Sequence, residues 1–313
     1  MDEFTRIGAL VAALPPGSGV VLGAGDDGAV LRPGEGCDLV VTTDAFVEGR
    51  HFDSRWVPDE AVGRRLAAAN LSDLAAMAAR PRWGLLSIVA PPRTPHARLA
   101  AIETACAQLL AQEGAAIVGG NLASADGPMS LTLVLLGEVA RGAHWARAGA
   151  RPGDVLAVTG APGLAGEVIE SALSLDSPSL LDVSADAAAR WLSPEPRVRV
   201  ALALAAAGGV RAAIDISDGL SSDLAHLARA SGIGADVNES ALRLGALTRP
   251  SDDYELLLAI EPGRIEALAA LAEQSGAPLT RIGLCTERAG DLVLIGREGS
   301  RTPIEPRGWD HFA

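Results

Sequence analysis

Apolar residues in the first half of the chain fall into β-branched runs that alternate with longer helical stripes. The run Asp38–Thr43 is strand-like and stops at Asp44. Between Pro58 and Ala79 a largely apolar stripe at spacings of three and four runs through Val62, Leu66, Ala69, Asp73 and Met77, which predicts a long helix. A second helix is predicted over Arg98–Glu113, then a short strand at Ala115–Val118 and a longer one at Ser130–Val139. The stretch Arg147-Ala-Gly-Ala-Arg-Pro-Gly-Asp154 is rich in turn formers and reads as a linker.

The second half restarts with a strand at Val155–Thr159 and a turn rich in Gly and Pro. Helices are predicted over Leu164–Leu173, Pro196–Ala207, Gly219–Ala230 and Arg264–Gln274, with strands over Ala212–Ile216, Tyr254–Ile260, Arg281–Thr286 and Asp291–Ile295. Helices and strands mix in each half without the strict βαβ regularity of a Rossmann or TIM fold. The pattern predicts two α/β domains of the α+β type, residues 1–145 and 146–313.

Composition narrows the chemistry. The 313 residues are 49% hydrophobic but only 3% aromatic, so the core is built from Ala, Val, Leu and Ile. A formal net charge of −13 argues against nucleic acid or an anionic membrane as partner. Anionic small molecules are admitted only where cations screen the acidic site. All 26 basic residues are arginines. A lysine-free chain excludes the P-loop lysine, the strand lysine of protein kinases and Schiff-base catalysis. Cys37, Cys106 and Cys285 have no metal-site or disulfide spacing. The N-terminus lacks a signal peptide's basic and apolar regions, and no apolar window reaches 18 residues. A soluble, cytoplasmic protein is expected.

Candidate chemistry gathers at the acidic residues. Magnesium takes hard oxygen ligands and keeps waters, so its nucleotide sites combine a few carboxylates with substrate phosphates. In Gly23-Ala-Gly-Asp-Asp-Gly28 two adjacent carboxylates repel unless a cation or hydrogen bonds compensate; an ordinary surface turn would look the same. Thr42-Thr43-Asp44 closes an apolar strand, the end where α/β proteins place ligands. His51 follows in Glu48-Gly-Arg-His51-Phe52 and, alone, suits a structural role as well. Asp73 needs a partner on its stripe: a metal, helix-end amides, or one of Arg64, Arg65 and Arg80. Val118-Gly-Gly-Asn121 either lets backbone approach a phosphate or makes a plain turn. Ile214-Asp215-Ile-Ser217-Asp218-Gly219 sets two carboxylates and a hydroxyl at one strand–helix junction, where an acid can also be a mere N-cap. Together the five motifs predict one shared site at a domain cleft, with several metals neutralising ATP.

In this order the motifs resemble the thiamine-monophosphate kinase family, in the superfamily of aminoimidazole ribonucleotide synthetase. The likeness runs nearly end to end. It is carried by Gly25-Asp-Asp-Gly-Ala-Val-Leu31, Thr43-Asp-Ala-Phe-Val-Glu-Gly-Arg-His-Phe52, Asn70-Leu-Ser-Asp-Leu-Ala-Ala-Met77 and Arg147–Asp154. It continues through Leu192-Ser-Pro-Glu-Pro-Arg197, Ala213–Leu224, Asp253-Tyr-Glu-Leu256 and Gly308-Trp-Asp-His-Phe312.

The resemblance implies an N-terminal α/β domain that dimerises through its sheets, making a homodimer, and a C-terminal α/β domain completing the ATP cleft. It implies transfer of the γ-phosphoryl of ATP to thiamine monophosphate, giving thiamine diphosphate. Carried over position by position, it places magnesium ligands at Asp27, Thr42, Thr43, Asp44, Asp73, Asp215 and Asp218. Asn121 stands where the family has a further Asp. ATP contacts fall on Gly120, Asn121, Arg147 and Ser217, and substrate contacts on His51, Asp252 and Trp309, whose indole suits the cationic thiazolium. Three departures stand out: Asn121 after Gly119-Gly120; Pro250-Ser-Asp-Asp-Tyr-Glu-Leu256 for the family's Gly-Gly-Glu-Asp-Tyr-Glu-Leu; and a short connection over 242–251. Two other readings are a relative that uses ATP to activate a different small molecule, and a nucleotide-binding protein without turnover.

Overall fold

The computed structural model describes residues 3–15, 17–24, 29–174, 180 and 183–308. It divides into one unit of residues 1–74, 79–143 and 192–194, and a second of 75–78, 144–191 and 195–313.

The first unit carries α1 (Glu3–Ala13), β1 (Val20–Leu22), β2 (Val30–Leu31), β3 (Cys37–Val47), α2 (Asp59–Ala76), β4 (Arg80–Ala90), α3 (His96–Gln112), β5 (Ala116–Ser124) and β6 (Ser130–Ala140). β1 and β2 pair as a short ribbon, while the main sheet runs in the order β3-β6-β4-β5. β6 is antiparallel to both its neighbours and β4 is parallel to β5. Period-two alternation gives this sheet two faces. Leu131, Leu133 and Leu135 are wholly buried on the inner one. α3 covers that face where Leu110 meets Gly84, and α2 where Leu74 meets Gly137. A side chain at Gly63 would collide with the Ile102 carbonyl, so α2 and α3 cross in backbone contact. That is what a glycine inside a helix is for here.

The second unit holds β7 (Val155–Thr159), α4 (Gly166–Ser174), α5 (Ala185–Leu192), α6 (Val198–Ala207), β8 (Val210–Ile216), α7 (Leu220–Ser231) and β9 (Gly234–Asn238). β10 (Glu255–Ile260), α8 (Ile265–Gln274), β11 (Leu279–Thr286), β12 (Leu292–Ile295) and β13 (Arg301–Pro303) complete it. Its seven strands run β13-β12-β9-β11-β7-β10-β8. Within this sheet, among the described strands, only the β12–β9 pairing is parallel. Every residue of β7 and β10 is buried, the polar Thr159 and Glu255 at their ends included. α7 packs Leu220, Leu224, Leu227 and Ala228 against Ile214, Ile216 and Leu257.

The α+β, two-part architecture matches the expectation, with local corrections. β3 does not stop at Asp44 but continues to Val47, because Phe46 keeps the inward alternation and is buried. The glycines after Val118 form no turn. β5 runs through them, and Gly120 is required because a side chain there would strike the Leu86 carbonyl. β4 escaped the sequence reading since Pro81 and Gly84 interrupt its apolar run; the register shifts at those positions absorb them. α2 ends at Ala76, before a left-handed Ala78 with φ of 54°. α1, α5, β9 and β13 are short elements the hydrophobic pattern did not disclose.

Candidate functional site

In the first unit Thr42 and Asp44 share the inward-facing side of β3, so both look toward the helices. The Thr42 hydroxyl donates to the Asp73 carboxylate of α2. Asp73 thus meets a hydroxyl on the stripe where the sequence demanded a partner. Of its candidate arginines, Arg64 donates to Ser193 Oγ at 3.1 Å and Arg65 to the His51 carbonyl at 2.8 Å. Burial and then the nearby Asp73 carboxylate push Asp44 up to about 7. An acid raised by burial and by a neighbouring carboxylate marks a place where a cation would be welcome. Thr43, on the opposite face, is exposed.

Gly120 pairs with Leu86, which pairs with Leu133, which pairs with Asp44. Gly120 and Asp44 therefore lie level on the sheet but three strands apart, about 14 Å at ordinary strand spacing. Asn121, one row further along β5, is exposed. The sheet thus brings Thr42, Asp44 and Asp73 together and leaves Gly120 and Asn121 at its other edge.

His51 stands just beyond β3. Its Nδ1 accepts the Val47 amide at 3.1 Å, and its ring stacks on Phe46 with centroids 5.2 Å apart. An accepting Nδ1 assigns the neutral ring's proton to Nε2. Arg65 lies over the same Phe46 ring at 5.4 Å. The imidazole is held in orientation by its own strand end.

In the second unit Asp215 is the penultimate residue of β8 and is 4% exposed. Ser217 and Asp218 form the junction to α7. Gly219, with φ of 126°, is the N-cap; Asp218 is not. A side chain on Gly219 would come within 2.8 Å of the Arg249 carbonyl. The sequence reading missed Asp223. Its Oδ2 accepts the amides of Ser217, Asp218 and Gly219 at 3.1, 3.3 and 3.2 Å. The signal was an acid four residues past a Gly N-cap, beyond the position that capping rules inspect.

The segment 250–254 leans on this junction. The Ser251 amide donates to the Asp218 carbonyl, and the Tyr254 amide to the Ile216 carbonyl. Tyr254 has φ of 53°, left-handed for a bulky residue. Asp253 accepts the Gly163 and Ala165 amides and the Ser251 hydroxyl, which fixes Asp252 beside it. Ser221 Oγ exchanges hydrogen bonds with the backbone of Arg307 at 3.0 and 3.1 Å. A side chain at Gly308 would sit 2.7 Å from Ser222 and 3.3 Å from Asp218 Cβ. The chain leading to position 309 thus passes directly over Asp218. Asp27 and Trp309 themselves lie outside the described residues. Arg147 is exposed, its carbonyl accepting Ser231 Oγ at 2.9 Å.

Among the described residues no three His, Cys, Asp or Glu side chains gather as a ready-made metal site. Two carboxylates and a hydroxyl at Thr42, Asp44 and Asp73 still suit magnesium, which takes one or two protein carboxylates and completes its shell with water and phosphate.

Residues 25–139 match the family model for the AIR synthase related protein N-terminal domain, and residues 151–295 its C-terminal domain. The thiamine-monophosphate kinase of Salmonella typhimurium is 36% identical over 314 residues, covering 94% of this chain and 93% of that protein. This chain belongs to the thiamine-monophosphate kinase family. Among solved structures, the family member from Stenotrophomonas maltophilia is 33% identical, with a TM-score of 0.81 over 96% of this chain and 98% of that one. AaThiL complexed with AMPPCP and TMP is 26% identical, with a TM-score of 0.74 over 90% and 89%.

Proposed function

We propose that this chain is an ATP-dependent kinase of thiamine monophosphate, moving the γ-phosphoryl group of ATP onto the substrate's phosphate to give thiamine diphosphate and ADP. Membership of the family supports the reaction. The observation that carries its chemistry is the half-buried Asp44–Asp73 pair, in which the Asp73 charge raises Asp44 beside the Thr42 hydroxyl. Asp44, Asp73 and Thr42 in one unit, and Asp215 and Asp218 in the other, would hold magnesium, with Asp27 and Thr43 assigned to it by resemblance. Bound there, magnesium would offset the triphosphate's charge, which is most of what phosphoryl transfer requires.

The acceptor is already an anionic phosphate oxygen, so the protein's own work is positioning. Gly120, Asn121, Arg147 and Ser217 are the proposed ATP contacts. Asn121 keeps a carbonyl oxygen but lacks the charge of the family's Asp. His51, its Nε2–H oriented by the Nδ1 contact, and Asp252 are proposed for the thiamine substrate. Trp309 joins them, supported by the course of the chain over Asp218 at Gly308. The functional division into 1–145 and 146–313 and a cytoplasmic location, where ATP is supplied, belong to the same proposal.

A homodimer is proposed through the outward face of the first sheet. Val41 is 60% and Leu85 39% exposed there, with Val134 between Thr43 and Leu85. Contiguous exposed apolar surface of this kind marks an interface.

The test is a coupled assay with purified chain, ATP, magnesium and thiamine monophosphate. Stoichiometric ADP and thiamine diphosphate, abolished by chelation, are expected. ATP binding with no phosphorylated thiamine product would overturn the substrate assignment.

A further inference from the structure

We infer that Asp223 is a positioning residue that clamps the Ser217–Gly219 junction and thereby sets the direction of the Asp218 carboxylate; the inference rests on the proposed magnesium role of Asp218. Three successive amides at the end of β8 converge on Asp223 Oδ2 at 3.1–3.3 Å. Such a concave run of N–H groups is an anion-binding nest. Here its occupant is the protein's own side chain, one helical turn into α7 and 2% exposed.

The placement solves a local problem. α7 begins without a side-chain N-cap, because its N-cap is Gly219. Gly219 is in turn demanded by its φ of 126° and by the nearby Arg249 carbonyl. A residue without a side chain cannot satisfy the junction's amides, so an acceptor must reach back from inside the helix. Asp223 does so, and its own amide donates to the Gly219 carbonyl at 3.0 Å. The junction is also held from the far side, by the Ser251 amide on the Asp218 carbonyl. With backbone fixed on both sides, Asp218 Cβ is held in place, 3.3 Å from where a side chain on Gly308 would begin.

A single oxygen accepts all three amides, so the clamp needs an acceptor at that point and not a charge. This separates positioning from ligation. Asp223→Asn keeps a carbonyl oxygen for the nest, whereas Asp223→Ala empties it. In the full chain, hydrogen exchange at the 217–219 amides is expected to quicken at least tenfold in Asp223→Ala and to stay within about twofold of the parent in Asp223→Asn. The magnesium concentration for half-maximal turnover should rise about tenfold in Asp223→Ala alone, with kcat restored at saturating magnesium and the KM for thiamine monophosphate unchanged. Asp223→Ser, whose hydroxyl is too short to span three amides, replaces the alanine variant should that one fail to fold.

Unchanged exchange in Asp223→Ala would overturn the clamp. Loss of magnesium response in both variants would overturn it as well, making Asp223 a ligand. Quickened exchange with unaltered magnesium dependence would sever the clamp from Asp218's proposed role. Failure of the functional reading itself is seen separately, as a parent chain that does not turn over.

Discussion

Two carboxylates, one half-buried in the first unit and one wholly buried in the second, are treated in opposite ways. Asp44 lies beside another acid, and burial with the Asp73 charge lifts it to about 7. Glu255 is more deeply buried, and burial alone would raise it too. Hydrogen bonding to Arg197 and the charges of Arg190 and Arg197 outweigh that and hold it below its ordinary range. Both guanidinium groups approach Glu255 Oε1 at 2.7 Å, and Thr159 donates to Oε2. Burial is common to the two sites; the supply of countercharge is not. At Glu255 the fold brings its own cations, whereas at Asp44 it brings a second acid, and the proposed function has the cation come from solution.

The largest effect should come from breaking the unbalanced site. Asp44→Asn is expected to cut turnover by about 10³-fold, since charge stabilisation supplies most of this kind of catalysis. The same change should raise the melting temperature of the metal-free chain, because it removes a charge that native burial penalises. Turnover and thermal melting on one preparation check both signs. An active variant, or one destabilised without metal, would erase the contrast with Glu255.

Next is the balanced site. Glu255→Ala leaves two guanidiniums buried without their carboxylate, a loss of about 3–5 kcal/mol. Urea unfolding measures it, and magnesium should not rescue it. A smaller change sharpens the first site. Thr42→Val removes the hydroxyl from Asp73 while keeping the shape. Losing a hydrogen bond to a charged group, worth about 1.5 kcal/mol, should weaken magnesium about tenfold. An unchanged magnesium titration would mean that this hydroxyl neither ligates nor orients.

The contrast itself was only half visible in the sequence. Asp73 could be read there as an acid on an apolar stripe in need of a partner, because helical periodicity is local. The partner, Thr42, was recognised as a candidate for a separate reason. The ion pairing of Glu255 is invisible in the sequence, since its arginines lie 58 and 65 residues away and only the fold unites them. β4 and the extension of β5 through Gly119 and Gly120 were illegible for a related reason. Pro and Gly read locally as breaks, whereas long-range register shifts and the close approach of Leu86 make them fit. Asp223 was hidden by a capping rule that looks one residue too early.

A third carboxylate separates burial from countercharge. Glu103 on α3 is 8% exposed, its Oε2 has no hydrogen-bond partner, and burial lifts it to about 7. It neighbours Cys106, a thiol pushed up to about 12 by its own burial and then by Glu103. In the unfolded chain Glu103 ionises near 4.5. The native state therefore holds an extra proton between 4.5 and about 7, and stability falls as pH rises through that window. Below it the penalty is absent; above it the penalty is complete. Glu103→Gln should remove this slope, so that the variant matches the parent at pH 4 and exceeds it by up to about 3 kcal/mol at pH 8. Turnover and magnesium affinity should not move. Urea unfolding across that pH range would show whether an acid with burial but neither cation nor second acid behaves as a plain liability, which the contrast between Asp44 and Glu255 requires.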